Sequence, residues 1–199
     1  VVTDIRGLLE DESIINGIVP STFQSYNLAQ MMQVTAPGSE HKFLICEQGQ
    51  VSDSEYYDYE GGQIVTFDHI TREATGARPL DEADDPTRQA FQAAAAKYVD
   101  DHYMNGTLGV YGGGSNVTVC ISSSKFELRN YWTGRWQSVW NISVGSGEVT
   151  CKGKITIHVH YFEDGNVQAN TEVEKTIKVK GGDATTAAAN AIKKIAEFE

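Results

Sequence analysis

The region between residues 149 and 179 constrains the fold of this chain more than any other feature. Apolar side chains recur at every second position in residues 149–162 and again in residues 166–179, which is the period of a β-strand with one covered face. Between them, Asp164-Gly165 is a dipeptide typical of a two-residue hairpin turn. The sequence therefore predicts two paired strands, far longer than the usual length of about five or six residues. The side chains predicted to face inward are Ile155, Ile157, Val159 and Tyr161 in the first strand and Val167, Ala169, Val173, Ile177 and Val179 in the second.

The chain before this hairpin predicts further strands of an antiparallel meander. The candidate strands cover residues 107–111, 117–123 and 135–144, and a glycine-rich turn at residues 112–115 separates the first two. The tryptophans recur every four residues, at Trp132, Trp136 and Trp140. That spacing suits one face of a helix and one face of a strand equally well. We favour a strand, because residues with high β-propensity surround the last two tryptophans.

The clearest helix covers residues 86–104. Asp85 is suited to cap its first turn, and Pro86 suits the first helical position. The apolar stripe of this helix consists of Phe91, Ala95, Tyr98 and Val99. The sequence therefore predicts that this helix packs one side against the sheet.

A second long helix is predicted at the end of the sequence, with Asp183 or Thr185 as its cap. Its apolar face consists of Ala188, Ile192 and Ile195. The first third of the sequence predicts only short elements. These are helices in residues 2–10 and 21–33 and strands in residues 42–47 and 63–68.

Together these elements predict an α+β fold with about five antiparallel strands followed by a helix. The last strand would leave unpaired backbone amides at the edge of the sheet, and few residues follow it to cover them. Two alternatives follow from the residues alone. Either a partner chain completes the sheet, or the helix at residues 86–104 covers the edge.

Charge and composition exclude several classes of function. With 16 basic and 27 acidic residues, the formal net charge is −11, which argues against binding to nucleic acids or to anionic membranes. A hydrophobic fraction of 40% argues against disorder. The three cysteines, Cys46, Cys120 and Cys151, are widely spaced and form no paired motif, which fits a reducing cytosol.

One pair of residues offers metal chemistry. His158 and His160 lie on one face of a predicted strand, and Glu163 or Asp164 could complete a metal site. The alternative is that both imidazoles pack and form hydrogen bonds on a half-buried sheet. The serines at residues 122–124 and the acidic pair at residues 100–101 show no nucleophile or acid–base motif. A small metal-dependent enzyme therefore stays as the alternative to a binding protein, and the sequence predicts no other cofactor.

Two segments resemble the F-actin capping protein alpha subunit family. They are VHYFEDGNV at residues 159–167 and YWTGRWQSVW at residues 131–140, and weaker matches follow in the same order along nearly the whole chain. The residues that carry the resemblance are Tyr131, Trp132, Gly134, Arg135, Trp136, Trp140, Val159, His160, Tyr161, Glu163, Asp164, Gly165, Asn166 and Val167.

The resemblance implies a heterodimer with a capping protein beta subunit, in which strands of both chains form one sheet under long helices. It implies a cytoplasmic, cytoskeletal protein of the actin cortex that is not an enzyme. Such a pair blocks subunit exchange at the barbed end of the actin filament independently of calcium. Further partners implied are regulators with capping-protein-interaction motifs, phosphoinositides and dynactin. A relative that serves as a scaffold without capping is a further alternative.

The resemblance also implies a division of the chain and a truncation at both ends. The expected parts are a helical stalk remnant at residues 1–35, small strands with an acidic loop and a helix at 36–106, the sheet at 107–182 and the start of a long helix at 183–199. The family's actin-binding segment is expected C-terminal to Glu199. We therefore expect residues 1–199 to cap filaments weakly or not at all, even with a beta subunit.

Overall fold

The computed structural model describes residues 12–81 and 83–199, so the helix predicted at residues 2–10 lies outside the described part. The chain divides into two compact units, one up to Leu80 and one from Asp81 onward. Within the described residues, no helix is long and apolar enough to cross a membrane.

The first unit combines one helix with two small sheets. Its elements are α1 (Glu12–Ala29), β1 (Met32–Thr35), β2 (Lys42–Ile45), a short 3-10 turn (Glu47–Gly49), β3 (Glu55–Asp58), β4 (Gln63–Asp68) and β5 (Glu73–Pro79). Strands β1 and β2 pair with each other, and β4 lies between β3 and β5. The buried core of this unit consists of Val34, Ala36, Phe43, Ile45, Tyr56, Val65 and Phe67.

The predictions for this unit were partly right. Strands occur at the predicted positions in β2 and β4, whereas β1, β3 and β5 were missed. The helix predicted at residues 21–33 is the end of the longer α1, and it stops at Ala29. Met31 adopts the left-handed conformation with φ 44°, which turns the backbone out of the helix and into β1.

The second unit is an antiparallel sheet with two helices on one face. Its elements are α2 (Pro86–His102), β6 (Thr107–Gly113), β7 (Asn116–Glu127), a short 3-10 turn (Leu128–Asn130), β8 (Trp132–Val144), β9 (Glu148–Tyr161), β10 (Val167–Lys180) and α3 (Ala184–Phe198). The strand order β10-β9-β8-β7-β6 is the chain order. The predicted five-stranded meander followed by a helix is therefore confirmed, and the tryptophans lie on a strand.

The core of the second unit lies between the sheet and the two helices. All four residues of the predicted stripe of α2 are buried, as are Ala188, Ile192 and Ile195 of α3. They pack against the buried face of the sheet, which includes Val119, Trp140, Ile142, Cys151 and Ile155. Asp85 and Asp183 cap the two helices by accepting hydrogen bonds from backbone amides of the first turn.

The hairpin between the two longest strands differs from the prediction. The last pair of the ladder joins Tyr161 to Val167, so residues 162–166 form the connection instead of a two-residue turn. Neither Asp164 nor Gly165 has the positive φ that such a turn requires. Instead, the backbone N–H of Phe162 donates to the carbonyl of Tyr131 at 2.8 Å. Phe162 therefore bonds to the β8 side of the sheet, and residues 163–166 make the remaining connection to β10.

An ion pair at the start of α2 gives a testable pH dependence. The guanidinium of Arg88 is almost fully buried and binds both carboxylate oxygens of Asp84. This guanidinium lowers the pKa of Asp84 from its usual value of 3.8. The ion pair therefore stabilises the fold above the ordinary carboxylate pKa, and this stabilisation is lost as the pH falls through the lowered pKa.

We expect Asp84→Asn to lower the free energy of unfolding at pH 7 by about 1–3 kcal/mol, because the buried guanidinium of Arg88 loses its charged partner. The difference from the unmodified chain should shrink as the pH falls below 3.8. Urea unfolding between pH 7 and pH 2.5, followed by circular dichroism, measures both effects. Asp81→Asn, an exposed change just before the helix, is the matched control, and an equal loss in that variant would contradict the assignment.

Candidate partner-binding surface

Strand β10 forms one edge of the sheet and is unpaired on its outer side in the described part of the chain. None of its residues is buried, and only Ile177 and Val179 are half-buried. In an antiparallel ladder, the backbone N–H and C=O groups of every second residue bond to one neighbouring strand. The backbone groups of the residues between them point away from that strand. The N–H of Gly181 donates to the carbonyl of Gly147 at 3.0 Å. The backbone groups of the odd-numbered residues of β10 therefore bond to β9. The even-numbered residues from Gln168 to Lys180 therefore present their backbone N–H and C=O groups to the free edge.

The helix side of the sheet is covered at one end only. Near α3, the residues Val149, Cys151 and Ile155 of β9 are buried. Towards the β9–β10 connection, the exposed fractions rise to 39% for Val159 and Tyr161 and 63% for Val167. These side chains lie on the same face as the buried ones, because they occupy alternate positions of the same ladder. An apolar strip therefore continues beyond the helices to the free edge.

This strip corrects part of the prediction for β10. Val167, Ala169, Val173, Ile177 and Val179 do share one face, but Val167, Ala169 and Val173 are exposed. Only Ile177 and Val179 pack against the core of the unit. The alternating pattern identifies a face that is suited to burial, but it does not say which chain covers that face.

The two segments that carry the family resemblance lie side by side in the sheet. Trp132 is directly opposite Tyr161, Gly134 is opposite Val159, and Trp136 is opposite Ile157. Val167 in turn pairs with Tyr161. Residues far apart in sequence thus converge at the uncovered end of the sheet, next to the free edge.

The aromatic residues of the first segment differ in burial. Trp140 is fully buried, whereas Trp132 and Trp136 are half-buried. Tyr131 has the left-handed conformation with φ 56°, and its ring contacts that of Phe162 at a centroid distance of 6.0 Å. The aromatic side chains therefore run from the core of the unit to the exposed end of the sheet.

The predicted site residues that remain lie in the connection or on the other face. Glu163, Asp164, Gly165 and Asn166 are exposed in the β9–β10 connection, and the hydroxyl of Tyr161 donates to the carboxylate of Glu163. Arg135 and His160 belong to the positions of β8 and β9 that face away from the helices. Of the predicted residues, these two stand on the opposite face.

Glu199 joins the two helices to the sheet, a role that the sequence did not predict. One carboxylate oxygen accepts from Trp140 Nε1 at 2.7 Å, and the other accepts from the hydroxyls of Tyr98 and Tyr103, each at 2.7 Å. Burial is the main cause that raises the pKa of both tyrosines. The hydroxyls therefore stay protonated and act as donors. The partners are 59 to 101 positions away, too far for any local pattern to show.

The two histidines of the alternative metal site lie on the sheet face opposite the helices. His158 stands directly opposite the cationic Arg135 on β8 and opposite Asn170 on β10. Residues 12–81 and 83–199 contain no group of three or more His, Cys, Asp or Glu that could hold a metal ion. A neighbouring guanidinium would repel a metal cation, so the metal-dependent enzyme is not favoured.

Strand β10 leaves a free edge on the sheet, and the apolar strip beside it is uncovered. These two features define a protein that assembles with another chain. Comparisons with known proteins agree with this class. The family model of the F-actin capping protein alpha subunit matches residues 1–199. The chain belongs to this family of structural actin-binding proteins, and the resemblance seen in the sequence is confirmed.

Named relatives and a solved structure support the assignment. The F-actin-capping protein subunit alpha of Dictyostelium discoideum is 42% identical over 210 residues, covering 100% of this chain and 74% of that protein. The Caenorhabditis elegans subunit alpha is 35% identical, covering 90% of this chain and 66% of that protein. The homodimeric actin capping protein alpha subunit from Plasmodium berghei has a TM-score of 0.82 at 20% identity, covering 100% of this chain and 78% of that one. This last likeness shows the fold.

Proposed function

We propose that this chain is the alpha half of a heterodimeric capping protein that binds the barbed end of the actin filament and blocks subunit exchange without needing calcium. The observation that carries the proposal is the exposed edge strand β10, together with the apolar strip beside it. Family membership supports a partner subunit and actin as the binding partners. We extend the proposal to phosphoinositides, dynactin, regulators with capping-protein-interaction motifs and a location at the actin cortex.

The physics of the edge supports a partner that adds a strand. An unpaired strand of this length exposes a row of N–H and C=O groups that another strand can satisfy. The exposed Val159, Tyr161 and Val167 lie beside that row. A second chain that continues the sheet and lays a helix over this strip would bury both. The residues of the family resemblance are thus proposed to build the heterodimer sheet, and we propose no catalytic role for them.

Co-expression with a capping protein beta subunit tests the proposal. We expect a one-to-one complex by light scattering, and we expect the chain expressed alone to be poorly soluble or self-associated. Because the net charge of the chain is −11, we place the basic actin contacts outside residues 1–199. A matched complex, extended by the C-terminal remainder of the Dictyostelium relative, should therefore slow barbed-end elongation at least about tenfold more strongly than the complex of residues 1–199.

The elongation assay uses seeds of labelled actin, with calcium and with a calcium chelator. Equal inhibition under both conditions supports calcium independence. A monodisperse chain that ignores the beta subunit would overturn the proposed assembly, and an extended complex without effect on barbed ends would overturn the proposed activity.

A further inference from the structure

Three polar side chains of the first unit form a continuous hydrogen-bonded chain. The hydroxyl oxygen of Ser39 lies 2.6 Å from His41 Nδ1. On the other side of the ring, His41 Nε2 lies 2.9 and 3.0 Å from the two carboxylate oxygens of Asp58. A hydroxyl, an imidazole and a carboxylate connected in this order form the arrangement that activates a serine as a nucleophile.

We propose that Ser39 is a nucleophile that accepts an acyl group from an activated ester, with His41 as its general base. Asp58 is the positioning residue that orients the imidazole. The substrate class is an ester with a good leaving group, such as a thioester. The inference does not rest on the proposed function, because these three residues lie in the first unit and the free edge belongs to the second.

The surroundings of Asp58 fix the tautomer of His41. Only 1% of Asp58 is exposed. Its oxygens accept further hydrogen bonds from the backbone N–H of Gly61 at 3.1 Å and from Gln63 Nε2 at 2.8 Å. An ionised carboxylate only accepts hydrogen bonds, so the proton of the neutral imidazole lies on Nε2. The lone pair of Nδ1 therefore faces the hydroxyl of Ser39 and can accept its proton.

The backbone of the first unit holds the three side chains in this arrangement. Ser39 and His41 lie in the connection between β1 and β2. Two hydrogen bonds close this connection, from the N–H of Ala36 to the carbonyl of His41 at 3.0 Å and from the N–H of Ser39 to the carbonyl of Ala36 at 3.2 Å. Asp58 is the last residue of β3, and a side chain on Gly61 would collide with its carboxylate. The hairpin therefore sets the nucleophile and the base, and β3 sets the carboxylate.

Backbone donors beside Ser39 favour the charges that form during acyl transfer. The N–H of His41 donates to the hydroxyl oxygen of Ser39 at 3.2 Å, which stabilises negative charge on that oxygen as its proton leaves. The N–H of Glu40 forms no hydrogen bond within residues 12–81 and 83–199. It directly follows the nucleophile, the position that supplies one donor of the oxyanion hole in nucleophile-elbow enzymes. Ser39 is exposed, so an ester can reach it from solvent.

Acyl transfer to Ser39 needs no reactant other than the ester. The hydroxyl oxygen attacks the carbonyl carbon, and its proton moves to His41 Nδ1. The bond from the carbonyl carbon to the leaving group then breaks. The leaving group departs with the bonding electron pair and takes the proton from His41. The product is an acyl ester on Ser39, and the imidazole returns to its neutral form.

An alkyl fluorophosphonate tests the reactivity of the serine. Attack by the hydroxyl oxygen forms an oxygen–phosphorus bond and expels fluoride, and peptide mass spectrometry of the full chain locates the adduct. We expect Ser39 to be labelled at least about 100-fold faster than Ser52, because a general base contributes a factor of about 100 or more. Ser52 is the internal control, since it is exposed and donates to the carboxylate of Glu55 instead of an imidazole. Equal labelling of the two serines, or no label on Ser39, would overturn the proposal.

Two variants test the base and the positioning residue with p-nitrophenyl acetate as the acyl donor. We expect His41→Gln, which keeps a polar side chain but removes the base, to lower the rate of acetylation of Ser39 about 100-fold. Asp58→Asn should lower this rate at least about tenfold, because the imidazole is no longer held in one tautomer. Ser52→Ala should leave the rate unchanged. An unchanged rate in His41→Gln that keeps the circular dichroism spectrum of the unmodified chain would contradict the role of the base.

Nitrogen-15 NMR of the His41 ring tests the geometry without a substitution in the chain. At about pH 8 we expect the proton on Nε2 and a lone pair on Nδ1, as the bond to Asp58 requires. In Asp58→Asn the proton should no longer be confined to Nε2, a change that a merely structural role of the carboxylate would not produce. A proton on Nδ1 in the unmodified chain would overturn the proposal, because that nitrogen could not accept the proton of Ser39.

Discussion

Replacing Trp140 with alanine should lower the free energy of unfolding of the second unit by about 4 kcal/mol, which is typical of a fully buried aromatic residue. The indole has no exposed surface, and it packs edge-on against Phe198 at a centroid distance of 6.1 Å. A Cβ atom added to Gly153 would come within 2.4 Å of the indole ring, so the glycine makes room for it. The change also removes the donor to Glu199. Urea unfolding of the chain, followed by circular dichroism, measures the effect.

The other tryptophans provide graded controls for this prediction. Trp132 is half-buried, and its ring lies 5.6 Å from the ammonium of Lys125. We expect Trp132→Ala to cost about 1 kcal/mol, in proportion to the smaller area removed from water. Trp136→Ala should fall between the two, since that ring is half-buried against Tyr103. Equal losses at Trp132 and Trp140 would contradict the view that only Trp140 belongs to the sealed core.

A proline at position 174 should weaken binding to the beta subunit about 100-fold while the chain itself stays folded. The N–H of Glu174 points to the free edge, so proline removes no bond to β9. It does remove a donor from the incoming strand, and its ring occupies the space that the strand would take. The loss of about 3 kcal/mol corresponds to the stated factor. Titration of the labelled chain with beta subunit, followed by fluorescence anisotropy, measures it.

Two variants control for the change of charge and for the position on the ladder. Glu174→Ala removes the carboxylate but keeps the N–H, and we expect less than about a fivefold change in affinity. Val173→Pro removes a donor that bonds to β9, so it should lower the stability of the chain alone. If Glu174→Pro bound the beta subunit normally, β10 would not be the edge that the partner uses.

The strands of the sheet were predictable because alternation along a strand is a local property. Residues 149–162 and 166–179 show it directly, and β9 and β10 form there. The exposure of Val167 and Val173 was not predictable in the same way. Alternation shows that a face is apolar, but it does not show whether the same chain or a partner covers that face.

The features that the sequence did not reveal depend on contacts between distant residues. Glu199 resembles any exposed acid at the end of a helix, and only the fold brings it to Tyr98, Tyr103 and Trp140. The prediction of a two-residue turn after Tyr161 was wrong for a similar reason. The dipeptide Asp164-Gly165 favours a tight turn, but the bond from Phe162 to Tyr131 ends the ladder earlier.

The carboxylate of Glu199 has a consequence for the time course of folding. Every strand of the large sheet pairs with its neighbour in the chain, so its contacts are local and need only short loops to close. These hairpins can form one after another during synthesis on the ribosome. The bonds from Glu199 to Tyr98 and Tyr103 span 101 and 96 positions. The end of α2 therefore cannot form these two hydrogen bonds until residue 199 has been made.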